Sequence, residues 1–241
     1  ALCRQVEEAI TAWPEPDQGI WEGRGEPQHY VSSKLMCWVA VDRGSRLADR
    51  IGDEDRLERW TKVAAEIRSD ILENGVSDRG VFRQHYGTDA LDASTLLVPL
   101  VRFLPPNDER VVNTVKAIAE ELTENGLVMR YRVDQTDDGL KGEEASFLIC
   151  SFWLASALSE IGEQRAARDL CERLLLGASR LGLYAEELDA RTGRHWGNFP
   201  QAFTHLALIN AVSHVISDDR ATGDRERSAV LSEMTSHQTG S

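Results

Sequence analysis

Two kinds of helical segment alternate along this chain, and the connections between them alternate in length. Leu57, Trp60, Val63, Ala64, Ile67 and Ile71 form a single apolar stripe with charged residues opposite. Val111, Val112, Val115, Ile118 and Leu122 repeat that pattern, as do Ala166, Ala167, Leu170 and Leu174. Helices of this kind keep one face in water. By contrast, "ALDASTLLVPLVRFL", "SFLICSFWLASAL" and "AFTHLALINAVSHVI" are apolar nearly all round, as expected of helices buried on most sides. Period-two alternation and β-branched clusters are scarce. The periodicity predicts eight helices, at 2–12, 29–50, 55–74, 90–104, 108–123, 145–161, 163–178 and 200–217.

The link from an inner-type helix to the next amphipathic one is short, such as "GEQ" at 162–164. The links back are long and chemically rich, at 13–28, 75–89, 124–144 and 179–199. Alternating inner and outer antiparallel helices make an all-α toroid, and this connectivity puts every long loop at one end. Four loops then converge on one mouth, where a ligand pocket forms. A superhelical repeat would show shorter and more uniform units. Residues 1–217 are expected to form this unit. Residues 218–241, polar and without aromatics, are expected to be a disordered tail.

With 241 residues, 41% of them hydrophobic, the chain can bury a substantial core. A net charge of −13 repels nucleic acid and anionic membrane surfaces, so neither is expected as a partner. No apolar run reaches the roughly 18 residues of a membrane span. Cys3, Cys37, Cys150 and Cys171 lie far apart, with no zinc-ligand spacing. They read as structural thiols in a reducing, cytoplasmic compartment. No metal and no cofactor is expected. The chain begins without Met and in mid-helix pattern, "ALCRQVEEAI", which suggests the interior of a longer protein.

Chemistry concentrates in the loops. The first, "WPEPDQGIWEGRGEPQHY", packs four acids and three aromatics into a stretch with no regular period. Glu22 directly follows Trp21, and Glu186 follows Tyr184 by two residues. An apolar ring beside a carboxyl desolvates its ionised form and raises its pKa, which suits a general acid. Two carboxyls facing across a pocket are the minimum equipment for hydrolysing a glycosidic bond. Loops two and three add Gln84, His85, Tyr86, Arg130, Tyr131, Glu143 and Glu144, rings and donors suited to sugar faces and hydroxyls. The plainer readings also stand at this point: any loop acid can be a solvated charge, His85 a packed loop histidine, and Arg130 a partner of Asp134.

Four segments resemble a known family. "PDQGIWEGRGEPQHYVSSKLMCWVAVDRG", "QHYGTDALDAS", "GEEASFLICSFWLA" and "LYAEELDARTGRHWGNFPQAFTHLALINA" are similar to the bacterial, trehalase-like branch of glycoside hydrolase family 15. That family comprises inverting exo-acting α-glucosidases, including glucoamylases, glucodextranases and bacterial trehalases. The resemblance covers roughly residues 10–217 and implies an (α/α)6 barrel with its active site at the mouth. It further implies that Glu22, in the Trp21-Glu22 pair, is the general acid, and that Glu186, in "AEELD", is the general base. Arg130-Tyr131 would bind the terminal sugar. The implied substrate is a small neutral α-glucoside such as trehalose or a maltooligosaccharide.

A full barrel needs twelve helices, and eight are read here. The family's N-terminal β-sandwich and early barrel helices are not recognised in the chain. The expectation is therefore an incomplete (α/α)6 barrel whose all-round apolar helices are exposed at open edges. Such edges call for the missing part of the barrel or a second copy. An impaired barrel piece that binds carbohydrate or acts as a scaffold is the competing reading.

Overall fold

The computed structural model describes residues 1–136 and 146–218. Among these, α1 spans Leu2–Ala12, α2 Val31–Ile51, α3 Glu54–Asn74, α4 Leu97–Leu100, α5 Glu109–Glu121, α6 Leu148–Glu160 and α7 Gln164–Leu176. A final helix, α8, occupies 202–218. The expected tail, apart from residue 218, lies outside the described residues, and so do Glu143 and Glu144.

Each short link is built by a local stop signal followed by a start signal. Gly52 ends α2 in the left-handed conformation (φ 72°), and the Asp53 carboxylate accepts from the Arg56 N–H at 3.2 Å to cap α3. Gly162, at φ 86°, closes α6, with the Glu163 N–H bonded back to the Leu158 carbonyl at 2.9 Å. Asp108 caps α5 through the Arg110 N–H at 3.0 Å.

The outer helices bury one stripe each. Trp60, Ala64, Ile67 and Ile71 of α3 face Val31, Leu35, Trp38 and Val41 of α2. Gly44 of α2 lies where α1 and α3 both approach. A Cβ there would stand 2.8 Å from Val6 and 3.2 Å from Trp60, so only glycine lets the three helices close. Helix α6 is buried nearly all round, with Leu148, Cys150, Phe152, Ala155 and Ala157 inaccessible to solvent. It packs against α4, α5 and α7.

The fourth predicted helix, 90–104, is much shorter than its periodicity suggests. A 3-10 turn at Ala93–Leu96 leads into the four residues of α4. Upstream, Ala90 accepts from the Gln84 N–H, and Ala93 donates to the Arg130 carbonyl, both at 2.8 Å. Those bonds hold 90–92 extended between two loops. Downstream, Arg102 adopts φ 59°, with the Arg102 N–H on Pro99 O at 3.0 Å and the Phe103 N–H on Val98 O at 3.1 Å. That is the double-bonded left-handed stop usually made by glycine.

Helix α8 also departs from a fully buried reading. Thr204, Ala207 and Ala211 pack inward, while Phe203 (67% exposed), Leu206 (58%) and Ile209 (60%) face solvent. This is the open apolar edge expected of an incomplete ring. Short strands appear inside the long loops and had no counterpart in the predicted elements. Strands β1 (Thr123–Glu124) and β2 (Leu127–Val128) make a hairpin. Strands β3 (Ser146–Phe147), β4 (Glu187–Leu188) and β5 (His195–Trp196) form a three-stranded sheet that ties loop three to loop four.

Candidate active site

The irregular first loop is closed at its base. Asp17 and Gln28 exchange backbone hydrogen bonds of 2.9 and 2.8 Å, and the Asp17 carboxylate accepts from Ser33 of α2 at 2.8 Å. Lys34, 2% exposed, donates from Nζ to the carbonyls of Trp13 and Glu15. The burial that makes this possible pushes the lysine pKa down. The loop thus leaves α1, is gripped by α2 twice, and presents residues 19–23 as its tip. There the Glu22 backbone sits at φ 51°. A non-glycine residue in this region costs roughly 1–2 kcal/mol, which surrounding contacts must offset.

Those contacts belong to Trp21. Its indole N–H donates to both oxygens of Asp92, at 3.0 and 3.1 Å across 71 residues of sequence. Its ring meets Phe147 at 5.8 Å and Trp153 of α6 at 6.2 Å. The Arg130 guanidinium, 8% exposed, lies 5.6 Å from the Trp21 ring, 4.5 Å from Phe147 and 5.0 Å from Tyr131. Flat guanidinium on flat rings is a favourable arrangement that also excludes water. The alternative pairing of Arg130 with Asp134 gives way to Arg132, which stands 3.5 Å from that carboxylate.

From Phe147 the chain of contacts reaches the fourth loop. Phe147, Glu187 and Trp196 are direct neighbours across the three strands, so they share one face of the sheet. The Leu148 N–H donates to the Glu186 carbonyl at 3.0 Å, and the Glu186 N–H donates to Asn198 O at 2.9 Å. The half-buried Glu186 carboxylate accepts from the Asn198 backbone and side chain, each at 3.2 Å, and from Gln201 at 3.2 Å. Gly197, at φ 73°, makes this approach possible: a Cβ there would lie 2.6 Å from Glu186 Oε2.

Of the residues singled out from sequence, Trp21, Gln84, Arg130 and Tyr131 gather in one cluster with Glu22 at its edge, and Glu186 is joined to it through Phe147. Gln84 is buried, donating to Asp92 at 3.0 Å and accepting from Thr136 at 3.2 Å. His85 stands edge-on to Tyr30 at 5.5 Å, with Nδ1 accepting from the Gly87 N–H, and burial lowers its pKa. Tyr86 turns toward the helices instead. It stacks on His29 and donates to Asp70 of α3 at 2.6 Å; burial and that carboxylate push its phenol up.

The expected shielding of the two acids by neighbouring rings is not how these rings are used. Glu22 is exposed, and the Trp21 ring covers Arg130 and Asp92 instead. Tyr184 is a core residue: its ring meets Phe152 and its hydroxyl donates to Leu174 O at 3.0 Å. Sequence reasoning also passed over Asp92, Phe147, Trp153, Asn198 and Gln201. Asp92 carried a readable sign, an aspartate before "AST" at a helix start. The others are recognisable only once the loops meet.

Comparison with known proteins places the chain. Residues 4–174 match the profile of "Glycosyl hydrolases family 15". The chain is 69% identical over 215 residues to a trehalase of Mycobacterium tuberculosis (strain ATCC 25618 / H37Rv), covering 89% of this chain and 32% of that protein. Against a trehalase of Mycolicibacterium smegmatis it is 64% identical over 230 residues, covering 95% and 34%. It therefore spans about a third of the length of these relatives. Among solved structures, a glycosidase superposes with a TM-score of 0.71 at 20% identity, covering 87% of this chain and 58% of that one. A glucoamylase from Saccharomycopsis fibuligera gives 0.69 at 13% identity, covering 88% and 60%. The helical ring is thus part of an α/α barrel, and the chain belongs to glycosyl hydrolase family 15.

Proposed function

We propose that this chain carries the loop end of an inverting, trehalase-like α-glucoside hydrolase. Glu22 protonates the glycosidic oxygen, and Glu186 takes a proton from the water that attacks the anomeric carbon from the opposite face. The attacked sugar is released as β-glucose, and the departing sugar keeps its own anomeric configuration. This geometry needs the two carboxyls about 6.5–9.5 Å apart, with room for the water between them. The reading rests on one observation: Trp21, beside Glu22, touches Phe147, and Phe147 pairs with Glu187, beside Glu186. Two acids 164 positions apart in sequence are thereby tied to one end of the barrel.

Supporting features follow from the same cluster. Glu186 is surrounded by N–H donors and acts as an acceptor, the role of a base. Arg130 and Tyr131, the pair proposed to bind the terminal sugar, belong to the same cluster, with the guanidinium 5.0 Å from the Tyr131 ring. Trehalose is favoured over longer α-glucans by the relatives at 64–69% identity, which bear the name trehalase. The free thiols fit a reducing cytoplasm. The exposed apolar face of α8 suits contact with further helices of such a barrel. Glucose release from trehalose, maltose and isomaltose, with the anomer followed by NMR, tests the proposal. Equal first-formed α- and β-glucose from trehalose is expected; α-glucose alone, or no release from any of the three, defeats the proposal.

A further inference from the structure

We propose that Asp92 is a positioning residue that sets the Trp21-Glu22 turn by holding the Trp21 indole; the inference rests on the reading of Glu22 as the general acid. Asp92 is 1% exposed, and its carboxylate accepts hydrogen bonds from Ser94, Gln84 and Trp21. Ser94 N–H reaches Oδ1 at 2.7 Å, Gln84 reaches Oδ2 at 3.0 Å, and the Trp21 indole N–H spans both oxygens. Capping the short helical turn at Ala93 does not explain a carboxylate here. One oxygen suffices for a cap, and serine or asparagine serves as well without burying a charge. A second oxygen is needed only because the indole and Gln84 also require acceptors. The burial that this imposes raises the Asp92 pKa, against the pull of its donors.

Why the indole must be held follows from the turn it belongs to. Local bonds tie the ends of the loop tip: the Glu22 N–H meets Gly19 O at 3.3 Å, and the Gly23 N–H meets Gln18 O at 3.0 Å. The Gly19 N–H donates to the Asp17 carboxylate and the Gln18 amide to Gly25 O at 3.3 Å, but none of these bonds touches the Trp21 side chain. Glu22 is nevertheless in a left-handed conformation. The rings of Phe147 and Trp153 limit the tilt of the indole, but rings alone allow it to slide in its plane. The two-oxygen contact removes that freedom. Asp92 therefore acts on the Glu22 carboxyl through one rigid side chain and one peptide bond, without touching the sugar.

The test uses Asp92→Asn, Trp21→Phe, the double variant and Glu22→Gln in the intact protein, with trehalose as substrate and the folded fraction measured by circular dichroism. Each single change at Asp92 or Trp21 is expected to lower kcat about 10- to 100-fold with KM nearly unchanged. The double variant is expected to be no slower than the worse single, since both remove the same contact. If Asp92→Asn folds poorly, Trp21→Phe carries the result, because it leaves the Gln84 and Ser94 bonds in place. Wild-type kcat per folded molecule, or losses that multiply in the double variant, overturn the inference when Glu22→Gln is inactive. Full turnover by Glu22→Gln overturns the acid assignment itself, and the positioning role with it.

Discussion

The two loops that carry the candidate acids are built in opposite ways. Glu186 is held by its own neighbourhood: Asn198 and Gln201 lie 12 and 15 residues away, and Gly197 clears the space between. Glu22 is held from a distance, through an indole anchored 71 residues away and a ring delivered by another loop. One acid is half-buried among donors, and the other is exposed at a strained turn. A carboxylate that waits to accept a proton benefits from fixed local donors. A carboxyl that must deliver a proton to a bound substrate needs its direction set but its tip accessible. The difference in construction thus matches the difference in proposed role.

This contrast can be broken by substitution. Glu22→Gln and Glu186→Gln remove the proposed proton donor and the proposed acceptor and should each lower kcat by about 10²–10⁴-fold, read as glucose release from trehalose. Azide added as a small nucleophile should restore turnover to neither or to the Glu186 variant alone; rescue of only the Glu22 variant would exchange the two roles. Gly197→Ala forces a Cβ onto Glu186 Oε2 at a positive φ. The expected effect is about 10² in kcat, with a stability loss of roughly 1–2 kcal/mol in denaturant titration. An unaffected kcat would mean that Glu186 need not sit where Asn198 holds it.

A smaller effect sharpens the distant anchor. The folded-state pKa of Asp92 is raised by burial, so between the ordinary carboxylate range, about pH 4, and its folded value the native state holds more proton than the unfolded one. Its contribution is therefore fully present below that range and is lost as pH rises through the folded pKa. Asp92→Asn should remove this component, so its stability relative to wild type should improve as pH rises through that window. Chemical unfolding at several pH values checks it, and a difference that does not vary with pH refutes it. The smallest change is Tyr184→Phe, which deletes the bond to Leu174 O. It should cost about 1 kcal/mol in urea titration with kcat unchanged, since Tyr184 supports the core rather than the acid two residues on.

Much of the ring was legible because its signals are local. Apolar stripes such as Trp60, Ala64, Ile67 and Ile71 repeat at the helical period, and Gly52-Asp53 and Gly162 mark the stops. The shortened fourth helix was not legible in the same way. Its apolar run has helical composition, but Ala90 and Ala93 are drawn into bonds with Gln84 and Arg130, partners that no local window contains. The hairpin of loop three had a sign, Asn125-Gly126 with both residues at positive φ, the pair favoured in two-residue turns. The shielding expected of Trp21 and Tyr184 failed because adjacency in sequence does not decide where a ring points.

By itself the sequence determined the alternation of inner and outer helices, the placing of four rich loops at one end, and the Trp-Glu and Glu-Glu motifs that carry the family likeness. These depend on periodicity and residue type, which are properties of short windows. Only the tertiary structure decided that Asp92 grips Trp21, that Phe147 bridges the first loop to the fourth, and that Glu22 stands exposed while Glu186 is half-buried among its donors. Those outcomes depend on hydrogen-bond and packing partners brought together by the closing of the ring, whose directions and distances no local pattern encodes.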